Sequence, residues 1–246
     1  MVDPRGRWAL ITGASRGIGR LVARFMAERG CHLLLHSRSL EHTAGVAAEV
    51  RDLGVEAVPV AAELSDIAQV RAMLAAIDAR GVPVDFVFNN AAVQVAYRHD
   101  FLKTPVEDFE ISFRINTIAP AVICYHFLPK MAERGFGRIV NTTSGIRDEP
   151  EQAGYSASKA ALDKFTRDLG TKYEGTNVCL NLTDPGWCRT DLGGPNAPND
   201  PSFALPGVVV GAFVNDGRSG RLLPAAAFQG MSLEQAVAKA ARIERD

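Results

Sequence analysis

The 246-residue sequence is short of several things, and each shortage removes a class of function. Cysteine is scarce: Cys31, Cys124, Cys179 and Cys188 form no C-x-x-C pair and no zinc-like spacing with histidine. A disulfide framework and a metal site are therefore not expected, and four reduced thiols are. Charge of one sign is also lacking. Lys and Arg number 27 against 28 Asp and Glu, a net charge of −1, with no basic excess for nucleic acid or anionic lipid. No run approaches the roughly 20 apolar residues of a membrane span. The first seven residues, Met1 to Arg7, carry no signal-peptide pattern, so a cytoplasmic protein is expected. Internal repeats and low-complexity tracts are absent too.

What is present is an ordinary globular balance, 47% hydrophobic and 22% charged. Apolar runs at Trp8–Thr12, His32–His36, Ala57–Ala61, Asp85–Phe88, Gly137–Asn141 and Val178–Leu182 read as strands. Helical spacing separates them. Gly30 closes the first helix, Ser39 caps the second, and Ser65 caps the third. Thr104-Pro105-Val106-Glu107 reads as a capping box opening a helix to about Arg134, with a kink or break near Pro120. A further helix runs from Tyr155 to about Tyr173. Such alternation, with wholly apolar strands, predicts one α/β domain over residues 1–246: a Rossmann-type, doubly wound parallel sheet with helices on both faces. Sheets of this kind bind ligands beyond the carboxyl ends of their strands.

The segment from about 185 to 207 is rich in proline and glycine and reads as a loop or lid. Beyond it, residues 208–246 are harder to assign. Val208–Val214 reads as a strand, and Ser232 to Gln235 as a second capping box, opening a helix to about Arg245. On that helix Ala236, Val237, Ala240 and Ile243 share a side that packs on its own domain or on a partner.

Between the first strand and the first helix lies Thr12-Gly13-Ala14-Ser15-Arg16-Gly17-Ile18-Gly19. Gly13 permits a tight turn, Gly17 lets backbone approach a pyrophosphate at the positive end of the helix dipole, and Gly19 permits close helix–sheet contact. A glycine turn alone is weak; after a strand and before a helix it points to a dinucleotide. The spacing G-x-x-x-G-x-G resembles the cofactor motif of the short-chain dehydrogenase/reductase family. Four more segments resemble that family in order: Asn89-Asn90-Ala91-Ala92, Asn116 within a helix, Ser144 before Tyr155-Ser156-Ala157-Ser158-Lys159, and Asp184-Pro185-Gly186-Trp187 followed by Thr190. The resemblance spans about Trp8 to Leu192. It implies cofactor contacts from Gly13, Ser15, Arg16, Gly17, Ile18, Gly19, Ser37, Arg38, Glu63, Leu64, Asn90, Ala91, Tyr155, Lys159, Pro185, Gly186 and Thr190.

The end of the second strand selects the dinucleotide. An acid there would bind the ribose hydroxyls of NAD and repel a 2′-phosphate. His36-Ser37-Arg38-Ser39 stands there instead. Arg38 can pair with a phosphate, Ser37 can donate to it, and Arg16 is placed to assist, so NADP(H) is the expected cofactor. The alternative is that both arginines are solvated surface groups. Glu63 stands where the family commonly has aspartate near the adenine, or is simply a loop carboxylate.

Tyr155 and Lys159 are four apart on a predicted helix and share a face. A tyrosine of pKa about 10 is a poor base at neutral pH, and a nearby ammonium stabilises its phenolate. Tyr155 can then protonate a developing alkoxide, or take the proton in the reverse direction. The resemblance implies that Ser144 holds the substrate oxygen, that Lys159 also holds the nicotinamide ribose, and that Asn116 holds a water in a proton relay. The function implied is reduction of a ketone or aldehyde by NADPH.

The chain departs from the family in places. Ser144 lies eleven residues before Tyr155, a loop about two residues short, so Thr143 is a fallback for the hydroxyl. Residues Gly145 to Glu151 are strongly charged, either a contact for a polar or cationic substrate group or a solvated turn. Ala92 replaces the usual glycine. Val93 to Tyr97, Arg147, Glu149 and Trp187 are expected at the pocket mouth, Trp187 as a wall, a lid hinge or plain packing. Ser219 to Pro224 matches no interpretable motif. A homodimer or homotetramer is expected. The rival reading is a catalytically silent NADP(H) sensor or partner-binding protein on the same fold; a nucleic-acid regulator is disfavoured by charge.

Overall fold

The apolar runs form β1 (Trp8–Ile11), β2 (His32–Ser37), β3 (Ala57–Ala61), β4 (Val84–Asn89), β5 (Gly137–Thr142) and β6 (Val178–Thr183). In the computed structural model, which describes residues 1–245, they make one parallel sheet in the order β3-β2-β1-β4-β5-β6. Between β1 and β4 the order reverses, which opens a crevice at the strands' carboxyl ends. Both faces of the sheet are covered, which is why β1, β4, β5 and β6 are buried at every position. Alternate residues serve opposite cores. Ala9 and Ile11 join one apolar cluster, with Val22 and Met26; Trp8 and Leu10 join the other, with Val70, Leu74 and Phe127.

The helices are α1 (Gly17–Ala27), α2 (Ala44–Arg51), α3 (Ile67–Asp78), α4 (Val106–Phe113), α5 (Ala119–Arg134), α6 (Ala153–Gly170), α7 (Gly207–Phe213) and α8 (Leu233–Ala240). Several caps differ from the sequence reading. Asp66, not Ser65, caps α3, accepting from the N–H groups of Ala68 and Gln69. Ser39 makes no side-chain cap, because a 3-10 turn, Leu40–Thr43, intervenes before α2. The capping box at Thr104 does not form. Thr104 donates its hydroxyl to the Phe101 carbonyl, and Pro105 occupies the cap position without a side-chain cap hydrogen bond. The box at Ser232 does form.

The expected break near Pro120 takes a particular shape. Arg114–Ile118 is a π-helical stretch joining α4 to α5, and Pro120 follows it in the first turn of α5, where the widened turn accommodates a residue that has no N–H to donate. Helix 106–134 is therefore continuous, and by length and mean hydropathy (1.2) it is long enough to cross a membrane, an exception to the sequence reading. Yet 44% of its most apolar window is buried inside the protein, with Ile123, Phe127 and Met131 in the core, as in a core helix.

Val208–Val214 is not a strand. Residues 207–213 form α7, buried throughout. A short apolar run satisfies either geometry, and here packing against β5, β6 and α8 decides. The strand-like piece lies later. Gly220 to Leu223 runs beside β6: Gly220 N–H donates to Leu180, Leu182 N–H to Arg221, and Leu223 N–H to Leu182. Arg221, the uninterpreted residue, anchors this piece. It is 1% exposed, pairs with Asp216 at 2.7 Å, and also donates to the Ala240 carbonyl. The apolar side of α8 packs on its own domain: Ala236 and Ala240 meet Val210, Leu223 and Phe228. All four cysteines are buried and unpaired.

Candidate active site

The glycine turn is built on contacts that only glycine allows. Gly13 has φ +66°, and a Cβ there would lie 2.9 Å from the Ala91 Cα. At Gly19 it would lie 2.1 Å from the Gly13 oxygen and 2.7 Å from the Asn90 amide nitrogen. The turn is thus folded tightly onto the start of α1 and onto the segment after β4. Thr12 joins the two, its hydroxyl accepting from the backbone N–H of both Asn90 and Ala91 at 3.0 Å. This cradle of glycine backbone at a helix N-terminus suits a pyrophosphate.

Each expected cofactor residue has a definite place. Asn90 donates its amide to the Thr12 carbonyl at 3.0 Å, and its backbone N–H is spent on Thr12, so a ribose hydroxyl would have to donate to its oxygens. Arg16 is exposed and pairs with Asp191 at 2.6 Å. Arg38 is exposed at the end of β2. Ser37 is buried and gives its hydroxyl proton to the Ser39 carbonyl rather than keeping it for a phosphate. Beside Ser15 a cleft of about 350 Å³ opens, lined also by Arg20, His42, Gly45 and Glu49. Leu64 is buried in the apolar core, so only its backbone is available to an adenine. Glu63 accepts from the Ser65 N–H and hydroxyl, both at 3.1 Å, the behaviour of a loop carboxylate. Thr190 lies against Gly17, its methyl 3.3 Å from where a Cβ would stand, and accepts from Gly193 N–H. Gly186, after Pro185, has φ +74° and donates to the Asp184 carboxylate. Ala92 needs no unusual backbone: among the described non-glycine residues only Asp148 has a positive φ.

The residues expected at the reacting centre, Ser144, Tyr155 and Lys159, converge near the ends of β5 and β6. Tyr155 is 7% exposed, and burial pushes its phenol up; the Ser144 hydroxyl, within reach of it, opposes that, and the Asp184 carboxylate adds to it. Lys159 is 2% exposed and donates to the Thr142 carbonyl at 2.7 Å. Burial holds its ammonium down at about 8, against the upward pull of Asp163 and Asp184. Its nitrogen lies 6.0 Å from the Tyr155 ring centre. The fallback Thr143 is buried at 3% and lies beside Asp163, whose carboxyl burial pushes up. Ser144 is thus the hydroxyl that faces Tyr155.

Asn116 sits in the π-helical stretch. Its amide donates to the Val93 carbonyl and the Ser158 hydroxyl and accepts from Val93 N–H, at 2.9 to 3.0 Å. The side chain thus clamps the loop after β4 onto α6. The pocket-mouth segments do meet: Gln152 donates to the Val95 carbonyl at 3.1 Å, and Tyr97 to Glu149 at 3.3 Å. Trp187 is 59% exposed, and its indole donates to the Gly193 carbonyl. Sequence reasoning missed Thr12, His36 and Asp163, and gave no role to the Asp184 carboxylate. Among the described residues no His, Cys, Asp and Glu cluster could hold a metal.

Known proteins agree with this geometry. The family model "short chain dehydrogenase" matches residues 7–200. A short chain dehydrogenase of Pseudocercospora fijiensis is 30% identical over 197 residues, 78% of this chain but only 63% of that protein's length. The NADPH-dependent aldehyde reductase-like protein, chloroplastic, of Arabidopsis thaliana is 32% identical over 200 residues, 76% of this chain and 74% of that one. A gluconate 5-dehydrogenase of Burkholderia cenocepacia, solved in complex with NADP and tartrate, superposes with TM-score 0.79 at 26% identity, covering 90% of this chain and 95% of that one. With its sheet order, glycine turn and Ser-Tyr-Lys group, the chain belongs to the short-chain dehydrogenase family.

Proposed function

We propose that this protein is an NADP(H)-dependent oxidoreductase of the carbonyl reductase or alcohol dehydrogenase type, working as a homodimer or homotetramer in the cytoplasm. The observation that carries the reading is Lys159, a buried ammonium one helical turn from Tyr155 and bonded to the end of β5. Burying that charge is costly, and a fold tolerates it where the charge has work to do.

When bound, the reduced nicotinamide supplies a hydride. The chain's own residues do the rest. Ser144 donates to the substrate carbonyl oxygen and holds it. Tyr155, protonated because burial raises its pKa, gives its proton to the oxygen as negative charge develops there. Lys159 steadies the phenolate left behind. The glycine turn, Asn90 and Thr190 hold the dinucleotide. A 2′-phosphate suits the end of β2, which offers Arg38 with Arg16 nearby and no acid; both the Arabidopsis relative and the Burkholderia structure are described with the phosphorylated cofactor. Exposed Val106, Ile118 and Tyr125 along helix 106–134 support self-association.

The test follows NADPH absorbance with a panel of ketones and aldehydes. Wild type should oxidise NADPH with at least one, and Tyr155→Phe should bind NADPH yet turn over at least about a thousandfold slower. Turnover retained in Tyr155→Phe would overturn the mechanism.

A further inference from the structure

His36 is 2% exposed near the carboxyl end of β2, and both of its ring nitrogens are engaged. Gly13 N–H points at Nδ1, 3.3 Å away, and Nε2 lies 3.0 Å from the Ala62 carbonyl oxygen. An amide N–H can only donate and a carbonyl can only accept. One tautomer satisfies both, with the proton on Nε2 and a bare lone pair on Nδ1. The backbone of the same residue makes a third tie, its carbonyl accepting from Ala14 N–H at 2.9 Å.

One residue therefore holds two consecutive amides of the glycine turn. Its far edge holds the end of β3, where Glu63 and Leu64 begin the segment expected at the adenine. The imidazole accepts the Gly13 N–H at the position where a Cβ would strike Ala91. The glycine turn and the segment expected at the adenine are thus tied through a single ring.

We propose that His36 is a positioning residue for the dinucleotide: its neutral Nε2–H form sets the glycine turn, and protonation of the ring releases the turn and weakens cofactor binding in acid. The inference rests on the NADP(H) reading given above. Protonation would set a second donor against Gly13 N–H, and the two cannot share a bond. It would also place a cation in a site closed to water. Burial accordingly holds the ring's pKa down, against smaller upward pulls from the Ala62 carbonyl and from Glu63. Glu63 is the charged group whose field reaches the ring, and its carboxylate is engaged by Ser65.

Calorimetric titration with NADP⁺, which survives acid, tests this from pH 8 down to pH 4 on wild type, His36→Asn and His36→Leu. Asparagine presents an oxygen acceptor near the Nδ1 position and does not titrate. At pH 8, His36→Leu should bind at least about tenfold more weakly than wild type and His36→Asn within about threefold. As pH falls through the ring's own midpoint, which burial sets below that of a free imidazole, wild type should lose affinity relative to His36→Asn, a comparison that cancels the titration of the 2′-phosphate. Nitrogen-15 spectra of the cofactor-free protein should show His36 protonated on Nε2 alone at pH 8, with a midpoint matching the loss of affinity. This holds even if His36→Leu does not fold. Equal affinities at pH 8 for wild type and His36→Leu, or equal pH dependence of wild type and His36→Asn, would overturn the proposal. Failure of wild type to bind at pH 8 removes the cofactor reading itself, and this one with it.

Discussion

Arg16 of the glycine turn and Asp191 of the loop after β6 form an ion pair of 2.6 Å across the crevice. The cation expected to assist Arg38 at a 2′-phosphate is therefore already held by a carboxylate. Both side chains are about two-thirds exposed, so solvent screens the pair, and it contributes no more than about 1 kcal/mol.

Asp191→Asn frees Arg16 without removing it. The expected result is a KM for NADPH lowered by up to about fivefold, with the KM for NADH unchanged. Steady-state kinetics with both cofactors checks this, and an equal change for both would count against a phosphate-directed Arg16.

Arg38→Asp places an acid where a 2′-phosphate is expected. The KM for NADPH should rise at least about tenfold, and the preference should move toward NADH, whose ribose hydroxyls an acid can accept from. An unchanged cofactor ratio would remove Arg38 from the site.

Lys159 links turnover to stability. Its folded pKa of about 8 lies below the ordinary lysine value, so between pH 8 and about 10.5 the unfolded chain binds more protons than the folded one. The group therefore costs stability below pH 8, about 3 kcal/mol when fully charged. That cost shrinks as pH rises through the window and is gone above about 10.5. Lys159→Met should raise the Tm at pH 7 while abolishing turnover, less the loss of the Thr142 bond. Reductive turnover of wild type should decline above about pH 8 as the ammonium deprotonates. Thermal melts of both proteins and the pH–rate profile of wild type check it.

Asp216→Ala leaves the Arg221 guanidinium buried without its carboxylate. The expected cost is about 3 kcal/mol in urea unfolding, with NADP⁺ affinity retained, because the pair lies among the C-terminal elements rather than at the crevice. A loss of affinity with little loss of stability would contradict that placement.

The sheet, its crossovers and the Ser-Tyr-Lys group were legible because each rests on short-range signals: wholly apolar strands, a glycine turn after a strand, and a spacing of four on a helix. The caps at Ser39, Ser65 and Thr104 were not. Serine, threonine and aspartate compete for such positions, and Asp66 takes it because its extended backbone brings the carboxylate to the N–H groups of Ala68 and Gln69. Val208 to Val214 failed for a different reason. A run of valines is equally at home in a strand or a buried helix, and only the surfaces of β5, β6 and α8 settle it. Asn116 could be placed on a helix from the sequence, but its partners Val93 and Ser158 come from distant parts of the chain. His36 reads as one more residue of an apolar strand until Gly13 and Ala62 are brought to either side of it.

The two margins of the sheet are closed in different ways. Along β6 the piece from Gly220 to Leu223 already takes up hydrogen bonds that an outside chain could otherwise claim. Along β3, Pro59 stands in the middle of the strand, paired with Leu35, and has no N–H to offer. A foreign strand arriving at either margin finds its template occupied or interrupted, which protects a sheet this apolar from joining end to end with its own copies.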